Sequence, residues 1–158
     1  MILGKKRRIG REIDKIAEGE KLKLTEKIED KDLLLYLGLT NDSNPLYIQH
    51  DYASRTDFDK PIVPTIMLNG IITSAISKYL PGPGSHITEQ HLAFPNHVHH
   101  YETIEFLFEV IRVEKEKRSI VIMVEATNEE GKTVISGTVT VIPPSIRENL
   151  TADALENF

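Results

Sequence analysis

Asp42 and Tyr47 stand five residues apart around the bend Asp42-Ser43-Asn44-Pro45-Leu46-Tyr47. A carboxylate can take a proton and a phenol can give one, so the pair held in one cleft would supply both halves of acid–base chemistry. A free phenol ionises only near pH ~10 and is a poor base at neutral pH, which leaves the base role to Asp42. Tyr47 then donates a proton or orients water. His50 lies three residues beyond Tyr47 and shares a face with it if the segment is helical. Each residue also has an ordinary role: an Asp before Asn-Pro caps a turn, and a lone loop His is simply exposed. A second group, His97, His99 and His100, has His86 and His91 upstream of it. Strand spacing would put His97 and His99 on one face, as a divalent metal requires. No Asp, Glu or Cys of clear ligand spacing accompanies them, so no metal site is assigned and an exposed or interface role is expected.

Composition limits what such a site can belong to. The chain has 158 residues, 40% of them hydrophobic and 27% charged, which fits one soluble domain with a real core. It holds no Cys, which excludes a disulfide scaffold, a thiolate nucleophile and a Cys-based metal site. A net charge of −5 argues against nucleic acid as a partner. Residues 1–18 are expected to form an N-terminal arm, basic through Lys5-Lys6-Arg7-Arg8 and solvated. Arg7-Arg8 lacks the apolar segment that would follow in a twin-arginine signal. No window approaches the ~18 apolar residues of a membrane span, so no membrane role and a cytoplasmic location are expected.

The elements that must position the site follow from periodicity. Residues 20–29 alternate weakly through Leu22, Leu24 and Ile28 and predict a first strand. Asp30 is placed as the N-cap of a short helix through Leu33–Leu37 that stops near Gly38. Residues 41–45 are turn formers, and Pro45 biases Asn44 away from helix. Residues 50–58 can add a helical turn or two. Thr65 to Leu80 predicts the strongest helix, with Leu68, Ile71, Ile72, Ala75 and Tyr79 as its apolar stripe and Gly70, Thr73, Ser74 and Ser77 on the other side. Pro81-Gly82-Pro83-Gly84 ends it. Strands are then predicted over 86–94, over 103–114 with Ile104, Phe106, Phe108 and Val110 inward, over 120–124 as a run buried on both sides, and over 133–142. Gly131 closes the turn between the last two. Residues 145–158 are a polar tail. One dominant helix followed by a run of strands predicts an α+β fold, an antiparallel sheet around one helix. Its free edges favour dimerisation.

Asp42-x-Asn44-Pro45-Leu46-Tyr47, Tyr52-Ala53, Phe58, Pro61-Ile62-Val63 and Leu80-Pro81-Gly82-x-Gly84 together resemble the MaoC-like (R)-specific enoyl-CoA hydratases, a hot-dog-fold family. The resemblance runs over residues 20–143 and makes residues 19–144 a single hot-dog domain. It implies an acyl-CoA or acyl-carrier-protein thioester as substrate. It also implies a homodimer, or a heterodimer with a catalytic hot-dog subunit, and no cofactor. The reaction is addition of water to a 2-enoyl thioester, or its reverse. That chemistry needs a base for water at C3, an acid at C2 and donors for the thioester oxygen.

Carried over position by position, the resemblance makes Asp42 a catalytic carboxylate and Asn44 a ligand of the loop and substrate. The start of the long helix at Pro64, Thr65 and Ile66 becomes the place where free backbone N–H groups meet the thioester. The family's His is Tyr47 here, its next acidic residue is Gln49, its Gly after Ile-Val-x is Thr65, and its Gly-Asp before the following strand is Tyr101-Glu102. His50 is a candidate to replace the imidazole. Two functions follow. One is a hydratase or dehydratase using Asp42 with Tyr47 or His50. The other is a non-catalytic hot-dog subunit that binds acyl thioesters or pairs with a catalytic partner. An acyl-CoA thioesterase, with Asp42 activating water for hydrolysis, is a third.

Overall fold

The computed structural model describes residues 9–145. Five strands, β1 (Lys21–Lys27), β2 (His86–Ala93), β3 (Thr103–Glu114), β4 (Ser119–Thr127) and β5 (Thr133–Ile142), form one antiparallel sheet in the order β1-β3-β4-β5-β2. The chain therefore leaves β1 at one edge, crosses to the far edge as β2, and fills the middle last. Four helices lie between β1 and β2: α1 (Asp30–Thr40), α2 (Pro45–Ile48), α3 (His50–Ala53) and α4 (Thr65–Lys78). The expected α+β, hot-dog arrangement is the one found.

One face of the sheet packs on α4. Leu68, Ile72, Ala75 and Ile76 of the helix are buried against Ile104, Phe106, Phe108 and Val110 of β3 and their neighbours on β4 and β5. The rings of Phe106 and Phe108 stack with centroids 6.3 Å apart. Tyr79, expected in the helix stripe, lies beyond the helix and is 51% exposed, because the helix stops at Lys78. Ile76 fills that place. On β4, Ile120, Ile122, Val124 and Ala126 are buried while Val121 and Met123 are half-buried. The apolar run is thus not buried on both sides: α4 covers only one face of the sheet.

Two boundaries also differ from expectation. Glu29, not Asp30, caps α1: the Glu29 side chain accepts from the Asp32 N–H while the Asp32 carboxylate accepts from the Glu29 N–H. The helix runs through Gly38 to Thr40 and ends where Asn41 turns left-handed (φ 56°) and donates its N–H to Leu37 O. The segment from Gly10 to Glu18 lies on the domain. Gly10 and Arg11 donate to the carbonyls of Pro83 and Pro81, and Ile16 is buried in the core. Residues 1–8 of the basic arm and 146–158 of the tail lie outside the described residues.

Candidate active site

The reversal at Asn41 brings the next residue back onto α1. Asp42 accepts a hydrogen bond from the Tyr36 hydroxyl on Oδ2 (2.7 Å) and from the Asn44 N–H on Oδ1 (3.0 Å). Both donors favour the ionised form and hold the Asp42 carboxyl below its ordinary range, Tyr36 contributing most. The same bond, followed by burial and a smaller contribution from Tyr47, holds the Tyr36 phenol above its own. Asn44 is the N-cap of α2: its side chain accepts from the Leu46 N–H (3.0 Å), and Pro45 supplies the fixed φ of the first turn. Tyr47 stands half-buried on that turn, its N–H donated to Asn44 O (3.0 Å).

His50 does not share a face with Tyr47. Gln49 is extended (φ −116°, ψ 109°) and separates α2 from α3, so the helical spacing that would align positions 47 and 50 is broken. His50 is exposed at the start of α3.

The loop before α4 is fastened on two sides. Ile62 donates to Leu46 O (3.0 Å), which ties it to the Asp42–Tyr47 segment, and Val63 donates to Val98 O (2.8 Å). The His99 ring nitrogen Nδ1 contacts Pro61 O at 3.1 Å. Buried Pro64 is the N-cap of α4 and offers no side-chain cap, so the first amides of the helix, those of Thr65 and Ile66, have no intrahelical acceptor. Thr65 is the first helical residue and its φ is not positive, so a β-branched side chain sits there without backbone strain.

An open groove of 610 Å³ runs between α1 and α4. Leu35, Tyr36 and Leu39 of α1 line one wall, and Ile66, Met67 and Gly70 of α4 the other. Tyr36 therefore lines the groove and donates its hydroxyl to Asp42. Thr65 faces a separate cavity of 340 Å³, among Phe58, Phe94 and His97. Asp42 is thus bonded to Tyr36 and Asn44, and Ile66 lines the groove with Tyr36, while Asp42, Asn44, Tyr47 and His50 are not among the groove's lining residues. Tyr36 was missed from the sequence because only the left-handed turn at Asn41 makes it Asp42's neighbour.

The His cluster packs rather than ligates. The rings of Phe58, His97 and His99 meet edge to face at 5.0 and 4.9 Å. Burial, then the His99 charge, lowers the His97 pKa. Both ring nitrogens of His100 are buried without a partner, and burial pushes its pKa down. Among the described residues no three His, Asp or Glu are grouped to hold a metal ion, and no helix is long and apolar enough to cross a membrane.

The chain is similar to several known proteins. The chain is 32% identical over 130 residues to an (R)-specific enoyl-CoA hydratase of Rhodospirillum rubrum, covering 82% of this chain and 90% of that one. It is 27% identical to the mitochondrial 3-hydroxyacyl-[acyl-carrier-protein] dehydratase FERN of Solanum lycopersicum, covering 81% and 78%. The solved R-hydratase PhaJ1 of Pseudomonas aeruginosa superposes with a TM-score of 0.79 at 25% identity over 90% of this chain and 95% of that one. The model of the MaoC like domain matches residues 12–134, and the chain accordingly belongs to the MaoC-like domain family.

Proposed function

We propose that this protein is a hydratase or dehydratase of acyl thioesters, adding water across the C2–C3 double bond of an enoyl thioester or removing it from the 3-hydroxyacyl thioester. The observation that carries this reading is the Asp42 carboxylate, hydrogen-bonded to the groove-lining Tyr36 and to the Asn44 N–H in a chain so similar to an enoyl-CoA hydratase. Asp42 takes the proton of water as its oxygen attacks C3. The Tyr47 phenol supplies the proton at C2. The thioester oxygen, on which negative charge develops, accepts from a free amide at the start of α4. The acyl chain lies along the apolar walls of the groove, beside Leu35, Leu39 and Met67. The edges β1 and β2, each paired on one side only, are where a second hot-dog chain would extend the sheet. A cytoplasmic setting belongs to the same proposal.

One observation favours the second reading, a subunit that binds thioesters without turning them over. Both Asp42 oxygens already have protein donors, and a phenol stands at the family's His position. The test is to incubate the protein with crotonyl-CoA and longer trans-2-enoyl-CoAs and follow loss of the enoyl-thioester absorbance. Turnover by the wild type supports the enzyme. An inert wild type with an active Tyr47→His variant supports the binding subunit and ends the hydratase reading.

A further inference from the structure

We propose that Tyr36 is a positioning residue for this reaction: its hydroxyl fixes the Asp42 carboxylate while its ring forms the groove wall along which the acyl chain lies. The inference rests on the hydration reading for its place in catalysis, and on geometry alone for the pairing. Oδ2 of Asp42 is 2.7 Å from the Tyr36 hydroxyl and Oδ1 is 3.0 Å from the Asn44 N–H, so the carboxylate has one orientation. The free lone pairs on the two oxygens are then directed by α1 and the bend together, which is what a base needs if water is to be held in line with C3. No other described side chain bonds to the Asp42 carboxylate.

The surroundings make the pair separable from its neighbours. Tyr36 lies in the penultimate turn of α1, whose Leu34, Leu35 and Leu39 are exposed. Thr40 Oγ1 bonds back to the Tyr36 carbonyl (2.8 Å) and accepts from the Asp42 N–H (3.3 Å), bracing the backbone independently of the phenol. The groups facing the pair are Thr40 on α1, Tyr47 on α2 and the Asn44 amide; no cation is among them. Removing the phenol oxygen therefore removes one donor from Asp42 and leaves the turn intact. Because a donor to the ionised form lowers a carboxyl pKa, its loss raises it.

The experiment compares wild type with Tyr36→Phe and Tyr36→Leu. The Asp42 carboxyl is titrated by carbon-13 NMR, with Asp42→Asn to assign its signal, and kcat and KM for enoyl-CoA are measured across pH. In Tyr36→Phe the Asp42 midpoint should move up, and the acid limb of kcat/KM should move up with it. KM should stay within twofold while kcat falls about tenfold or more. Tyr36→Leu should add a rise in KM, since the wall is lost as well. An Asp42 midpoint equal in wild type and Tyr36→Phe overturns the pairing. A shifted midpoint with an unmoved acid limb and unchanged kcat overturns the role in the reaction. Should the protein prove inert toward enoyl-CoAs, the hydration reading and with it the positioning role fail, while the titration still decides the pairing.

Discussion

Gly70 sits in the middle of α4 and lines the groove, so replacing it tests the openness of that face through stability. A Cβ added at Gly70 meets nothing within 4 Å. Helix propensity then acts alone: Ala in a helix interior is favoured over Gly by about 1 kcal/mol, because Gly loses more backbone freedom on folding. For a chain of this size that raises Tm by about 2–4 °C. Urea unfolding followed by far-UV circular dichroism should show the midpoint moving up with an unchanged slope. Gly70 lines the groove together with Met67 and Ile66, so with a methyl added there KM for longer enoyl-CoAs should rise a few-fold while turnover of crotonyl-CoA changes little. Destabilisation by Gly70→Ala would refute the reasoning. It would mean that the space beside Gly70 is filled in solution, and a dependence of the loss on protein concentration would name a second copy as the filler.

Substitutions at three other positions probe the frame. Gly137→Ala on β5 would put a Cβ 1.9 Å from His91 O, against the 3.0 Å that real Cβ atoms keep. The edge strand β2 would have to give way, and urea unfolding should show a loss of about 3 kcal/mol or more; a loss under half of that would contradict the close approach. Tyr101 holds φ 68°, the left-handed region that costs a side chain roughly 1–2 kcal/mol. Tyr101→Gly should therefore unfold at higher urea than Tyr101→Ala, by about 1 kcal/mol after allowing for the freer unfolded chain of Gly. The depressed pKa of His100 makes the unfolded state bind more protons as pH falls. Stability should be full above the ordinary imidazole value of about 6.5 and decline below it. His100→Leu should flatten that decline between pH ~7 and ~5 and leave stability at pH ~7.5 equal or higher, since two orphaned ring nitrogens go with it. An unchanged pH slope would reassign the effect to other groups.

How much of this was legible in the residues differs by element. The strands were, because a period of two with Ile104, Phe106, Phe108 and Val110 on one face leaves little choice of register. Continuous apolarity over Ile120–Val124 did not reveal its faces, since which side is covered depends on where α4 lies. Gly38 looked like a stop, yet it stands in open space on an exposed helix. The real stop is the left-handed Asn41. The Asp42–Asn44–Leu46 bend was readable from Asn-Pro chemistry, and its cap bond is there. Tyr36 and the separation of His50 from Tyr47 were not, because each turns on a single backbone conformation, at Asn41 and at Gln49. The departure at Tyr101-Glu102 was visible as residue types only. In the structure Tyr101 takes the backbone conformation in which Gly is least strained, and Glu102 accepts from the His99 N–H at 2.7 Å.

The role of Asp42 is tested most directly by steady-state turnover of trans-2-enoyl-CoA by wild type and Asp42→Asn, with urea midpoints measured on the same preparations. Loss of a positioned base should lower kcat about a hundredfold or more, with the variant still folded. Equal turnover by wild type and a folded Asp42→Asn would contradict it.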